Sequence, residues 1–117
     1  RLDGVDLSPQ MIEKARAKQI YDDLQVAEIV AHLHAATAPL YDLVTAGDVF
    51  YERALAEGAL SWLRALAARG VRVLAGDAAR TYAPAGGFVE VAVHDVPTTV
   101  EIEDHPIRRA RVLEILP

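Results

Sequence analysis

Four acidic side chains stand where short apolar runs end: Asp6, Glu28, Asp48 and Asp77. A carboxylate offers two acceptor oxygens and a ribose diol two donors, so an acid at a strand tip can hold a ribose in bidentate fashion. Asp6, in GVDLSP, is placed for that role. The same Asp before Ser-Pro can equally cap the next helix or close a turn. Glu28 can accept from an exocyclic adenine amine, or stand as a solvated acid in the first turn of a helix. Asp77, after VLAG, reads as a site acid or a turn residue. Asp48 and Tyr51 lie just past Gly47 and are separated by two residues. That spacing lets a carboxylate and a ring reach over one pocket, a pairing that suits a cationic group, with Phe50 as a second ring. The competing reading is a helix N-cap at Asp48 followed by packing aromatics.

The elements that must position these residues can be read from the pattern. The stretch YDLVTAGDVFYE, from Tyr41 to Glu52, begins as a buried strand and halts at Gly47. Open α/β sheets place their ligands at such carboxyl ends. Upstream, Leu2 to Leu7 reads as a strand. Ser8 and Pro9 open a helix that carries Met11, Ile12, Ala15 and Ile20 at helical spacing. Asp22-Asp23 is a turn, Leu24 to Glu28 a strand, and Ile29 to Ala36 a helix that Pro39 ends. Downstream, Arg53 to Arg69 is the strongest helix, with Leu55, Ala59, Trp62, Leu63 and Leu66 in one stripe and Gly70 closing it. Val71 to Ala75 is a buried strand and Thr81 to Gly87 a loop. Phe88 to Val93 fits helix or strand, and helix is preferred. Thr98 to Glu103 and Arg108 to Leu116 read as a hairpin around Asp104-His105-Pro106. Strands alternating with helices predict a mostly parallel sheet with right-handed crossovers, edged by a C-terminal antiparallel hairpin.

The 117 residues suffice for one domain, spanning 1–117. A net charge of −5 argues against a general nucleic-acid binder or membrane-surface binder. Arg108, Arg109 and Arg111 read as the solvated face of a strand rather than a phosphate clamp. The sequence has no cysteine, hence no disulfide framework or thiolate metal site. With no long apolar run and no signal-peptide pattern, a cytoplasmic protein is the expectation. His32 and His34 do not share a helical face, and His94 and His105 have no partner pattern, so no metal is expected. Ser8 and Ser61 are the only serines and neither sits in a nucleophile elbow, which argues against Ser–His hydrolysis.

GVDLSPQMIEKARAK resembles the second strand and adjoining helix of class I S-adenosylmethionine-dependent methyltransferases. YDDLQVAEIVAHL is similar to the next segment in a bacterial branch of that family. From Gly47 onward, GDVFYERALAEGALSWL, VRVLAGDAAR and DVPTTVEIED resemble the lysine methyltransferases of the electron transfer flavoprotein β subunit. Those enzymes carry a D-x-x-Y motif after the fourth strand, here Asp48 to Tyr51, and a GD…R pattern after the fifth. The resemblance implies a Rossmann-like three-layer sandwich. It implies S-adenosylmethionine as cofactor, with Asp6 at the ribose, Glu28 near the adenine, and Gly47 and Asp48 lining the site. Asp48 and Tyr51 would face the methyl group and the lysine side chain of a protein substrate.

The family's first strand and its glycine-rich loop have no counterpart here, and Gly86-Gly87 comes too late to replace them. The expectation is therefore a partial domain lacking the first strand: a piece of a longer protein, or a mosaic joined near Ala46-Gly47. Such a chain alone would bind cofactor poorly. In the family order 3-2-1-4-5-7-6, losing strand 1 opens a gap of about 10 Å between its neighbours. Either strand 2 closes onto strand 4, or a second chain fills the gap, as in a homodimer. The rival functional reading is a non-catalytic scaffold that acts by self-association or partner binding.

Overall fold

Apolar alternation and turn chemistry build two separate sheets. The computed structural model describes residues 3–6, 9–26, 41–98 and 107–117. The chain divides into two units, Arg1–Thr37 and Ala38–Pro117.

In the first unit, β1 (Asp3–Asp6) pairs in parallel with β2 (Asp23–Val26), and α1 (Pro9–Arg16) connects them. Pro9 stands at the first helical position, where its missing N–H removes no helical bond. Ile12 is the one buried apolar residue described in this unit. Met11 is 52% exposed and Ile20, beyond the helix, 59%, so the expected inner stripe narrows to Ile12 and half-buried Ala15. The helix expected over Ile29 to Ala36 lies outside the described residues, as does Glu28.

The second unit holds β3 (Leu43–Gly47), α2 (Arg53–Ala68), β4 (Arg72–Asp77), β5 (Phe88–Pro97) and β6 (Ile107–Ile115). Its sheet runs β3-β4-β6-β5, parallel between β3 and β4 and antiparallel on both sides of β6. This is the 4-5-7-6 portion of the order that the resemblance implies. The C-terminal hairpin is present, but it is not a simple antiparallel edge. β6 inserts beside β4, and β5 takes the rim, running in the same direction as β3 and β4. Among the described strands, β1 pairs with β2 alone and β3 with β4 alone.

Phe88 to Val93, expected as helix, is the start of strand β5. FVEVAV alternates with period two, and nine residue pairs with β6 fix it as strand despite a bulge between Glu90 and Ala92. Of the strand expected over Thr98 to Glu103, only Thr98 is described, and it stands past the end of β5.

One face of the four-stranded sheet carries Val73 and Ala75 of β4 with Leu113 and Ile115 of β6, all buried. Helix α2, whose Ala56, Ala59, Leu63 and Leu66 are buried, packs on β4 and β6. Leu55 and Trp62, expected in its stripe, are half-buried. The helix ends in a Schellman arrangement: Gly70 N–H donates to Ala67 O and Val71 N–H to Leu66 O. Gly70 adopts φ +86, which only glycine takes without steric cost. The turn returns the chain directly into β4. The opposite sheet face carries Leu74 and Gly76 of β4, Ala110 and Val112 of β6, and His94 of β5.

Candidate functional site at the tips of β3 and β4

Two neighbouring parallel strands end together, Gly47 opposite Gly76, and the loops beyond them meet. Asp48 N–H donates to Gly76 O at 3.2 Å, continuing the ladder by one bond. Asp48 then turns into the left-handed region at φ +50, which a short polar side chain tolerates. Val49 and Phe50 plunge into the core, Phe50 with no exposed surface. Phe50 therefore cannot face a cationic ligand, and its expected role as a second ring is withdrawn. Tyr51 points outward, 55% exposed.

The cap of α2 is Glu52, not Asp48. The Glu52 carboxylate accepts from Ala54 N–H at 3.0 Å and Leu55 N–H at 2.9 Å. Those two backbone bonds, Leu55 first, hold its pKa below the usual carboxylate value. With the cap supplied elsewhere, Asp48 is spared for another partner, which is Arg80. Arg80 Nε donates to Asp48 Oδ1 at 2.7 Å and Nη2 to Oδ2 at 2.9 Å, a bidentate fork.

Asp77 is 2% exposed and acts as the structural member of the set. Its Oδ1 accepts from Arg80 N–H at 2.9 Å, closing a tight turn after β4. Its Oδ2 accepts from Arg111 Nε at 3.2 Å and Nη2 at 2.5 Å. Arg111 also reaches Glu90 at 3.9 Å and lies 5.9 Å from the Phe88 ring centroid. It is thus tied into the sheet, whereas the arginine cluster was expected to be solvated; Arg109 remains exposed. Asp77 belongs to turn and ion-pair chemistry. Ala79, one residue before Arg80, also has positive φ, +57. Two left-handed non-glycine residues in facing loops mark where the backbone is held under constraint.

Asp48, Gly76, Ala78, His94, Ala110 and Val112 line a cavity of about 240 Å³ on the sheet face opposite α2, with Asp77 and Arg111 completing its wall. Small side chains form its floor. Asp48 and exposed His94 border it, and its lining is almost wholly apolar. Among the described residues, nothing lies within 4 Å of the position a Gly47 side chain would take. Tyr51 and Gly47 do not line the cavity. Tyr82 N–H donates to Phe50 O at 3.2 Å, which brings the Tyr82 loop against the Asp48–Tyr51 turn. Arg53 stands 5.4 Å over the Tyr82 ring.

Of the sequence-predicted residues, Gly47, Asp48 and Tyr51 share one strand end. Asp6 closes β1 in the first unit, at the carboxyl end of a parallel pair. Glu28 lies outside the described residues. Sequence reading missed the Asp48–Arg80 and Asp77–Arg111 pairs. The GD…R pattern held the signal for Arg80, since an Asp three residues before an Arg is turn chemistry that aims the Arg back across the strand tips. A second hollow, of about 150 Å³, lies in the first unit beside Arg16, Tyr21 and Asp23 and contains no predicted site residue. Among the described residues no group of His, Cys, Asp and Glu is arranged to hold a metal ion, and no helix is long and apolar enough to cross a membrane.

Comparison with known proteins gives a structural likeness. The N-methyltransferase NodS from Bradyrhizobium japonicum WM9 superposes with a TM-score of 0.62 at 19% sequence identity, covering 100% of this chain and 74% of NodS. No family model matches the sequence. No curated protein matches it either. At this identity the likeness establishes the fold alone, a Rossmann-like α/β architecture.

Proposed function

We propose that this chain is the core of an S-adenosylmethionine-dependent methyltransferase acting on an amine, with the side-chain amine of a protein lysine as acceptor. The observation that carries the proposal is the likeness to an N-methyltransferase along the whole chain. The D-x-x-Y turn at the tip of β3 agrees with it and supports the narrower lysine assignment.

The residues present suit the cofactor in chemical type. Asp6 ends a parallel strand, where a carboxylate matches a ribose diol. Among the described residues, none fills the space beside the Gly47 Cα. When bound, the cofactor supplies an electrophilic methyl group on a sulfonium. The protein's share is orientation and control of the acceptor's charge. Asp48 accepts hydrogen bonds from the acceptor nitrogen, and the exposed Tyr51 ring offers its negative face to a cationic group. The nitrogen must shed a proton before it attacks. Because Arg80 neutralises Asp48, the carboxylate stabilises the ammonium form less than a bare one would, which eases that loss.

An NMR titration with S-adenosylhomocysteine tests the proposal. Saturable shifts at the Asp6 and Gly47 amides, weakened in Asp6→Asn, are the expected result. No glycine-rich loop of the family type occurs in these residues, so the affinity expected for them alone is weaker than micromolar. An absence of shifts at both amides would refute the assignment.

A further inference from the structure

We infer that Arg64 of α2 is a positioning residue, which holds Arg80 against Asp48 through the loop joining β4 to β5 (residues 78–87). This deepens the reading above and rests on its assignment of Asp48 and Tyr51 to the site. The loop is fastened at its start, middle and end. Arg80 N–H donates to Asp77 Oδ1 at 2.9 Å. Tyr82 N–H donates to Phe50 O at 3.2 Å, inside the Asp48–Tyr51 turn. Arg64 Nη2 donates to Gly86 O at 3.0 Å.

Helix α2 supplies a splint for this loop. Arg53 and Arg64 are eleven residues apart, which is three helical turns and about 20°, so both stand on one line of the helix, about 16 Å apart. Arg53 lies 5.4 Å over the Tyr82 ring, and Arg64 holds Gly86. The chain from Tyr82 to Gly86 thus has an arginine of α2 at each end. Gly87 shows how close the second contact is. A Cβ there would lie 2.7 Å from Arg64 Nη2 and 3.3 Å from Cζ, and its φ is +74. Only glycine admits the guanidinium at that distance and in that conformation. Arg64 Nε is buried without an acceptor among the described residues, which costs stability. The contact is therefore kept despite a buried idle donor and a forbidden side chain at position 87. Its consequence reaches Asp48. Ala83 N–H donates to Arg80 O at 3.2 Å, so Arg80 to Ala83 is a tight turn that moves as one piece. Arg80 extends its fork from that turn to Asp48, which is 51% exposed. Where the turn sits decides whether both forked bonds can form.

The test is NMR on the unaltered chain and on Arg64→Met, which keeps much of the stem and removes the guanidinium. The Tyr82 amide should exchange about fivefold faster in Arg64→Met, the worth of one hydrogen bond. The Arg80 Nε–H signal, which reports the fork on Asp48 at the other end of the loop from Gly86, should shift and weaken. Amides of the β4–β6 ladder should keep their protection. Gly87→Ala should repeat the pattern, since it displaces the guanidinium without removing a donor. An unchanged Tyr82 exchange rate and Arg80 signal in a folded Arg64→Met overturn the inference. Equal loss of protection along the β4–β6 ladder also overturns it, because Arg64 would then support the whole unit and not the loop. If neither variant folds, backbone relaxation of the unaltered chain decides: residues 80–86 as rigid as β4 sustain the inference, and a loop that moves independently overturns it. S-adenosylhomocysteine added to the unaltered chain tests the methyltransferase reading separately. Loop effects with no shift at the Asp6 and Gly47 amides leave Arg64 its role and remove that reading; the reverse does the opposite.

Discussion

The two units differ in what their described residues bury. Among the described residues, the C-terminal unit buries Phe50, Leu63, Val73, Ala75, Leu113 and others between one helix and a four-stranded sheet, whereas the N-terminal unit buries Ile12. The candidate acceptor side, at Asp48, is mounted on the C-terminal unit, against this core. The candidate ribose acid, Asp6, ends β1 in the N-terminal unit.

The largest effect that would break this contrast comes from the core. Leu63, 1% exposed, sits at the centre of the α2 face, and Leu63→Ala should lower stability by about 3 kcal/mol in thermal or denaturant unfolding. Native-state hydrogen exchange on the same variant sharpens it. Amides of β4 and β6 should lose protection, while those of β1 and β2 should change little. Equal protection across both units would erase the distinction.

Asp77→Asn comes next. It keeps the turn acceptor and removes the charge opposite Arg111, whose side chain is 26% exposed. A loss of about 2 kcal/mol is expected, less than for a fully buried pair because solvent reaches the arginine. Ala79→Gly acts in the other direction: relief of left-handed backbone at φ +57 should raise stability by about 1 kcal/mol. A neutral or destabilising result would show that the Ala79 methyl group is making a contact the backbone cost conceals.

The smallest effect concerns Glu52. Its pKa is lowered from 4.5 in the folded state because its carboxylate accepts two backbone N–H groups. The native state therefore binds this proton less readily than the unfolded chain. Its contribution to α2 is fully present above pH 4.5 and declines as pH falls through the lower folded value. Glu52→Gln should flatten that acid limb in helix-monitored melting. An unchanged limb would transfer the acid sensitivity to another carboxylate.

Much of this architecture was legible from local pattern. β3, α2 and β4 fall within about two residues of their expected ends, because Gly47, Gly70 and the apolar stripe each carry a distinct physical signal. Phe88 to Val93 failed because six residues of mixed apolar and small side chains satisfy both periods, and the deciding factor is pairing with β6, far along the chain. The site was half legible. Asp48 and Tyr51 stood out as types, but whether Asp48 or Glu52 capped the helix depended on a φ of +50 that no propensity announces. Arg111 looked solvated because strand alternation says which face a residue takes, not what waits there.

The placement of β6 bears on synthesis as well as on the finished structure. It is last of the described strands in order of translation, yet it lies between β4 and β5. Until it leaves the ribosome, both neighbours present unpaired backbone edges, and the nascent sheet cannot be completed by any residue already made. A stall or truncation just before Ile107 would leave two sticky strands in search of a partner, the kind of intermediate that holding chaperones exist to shield.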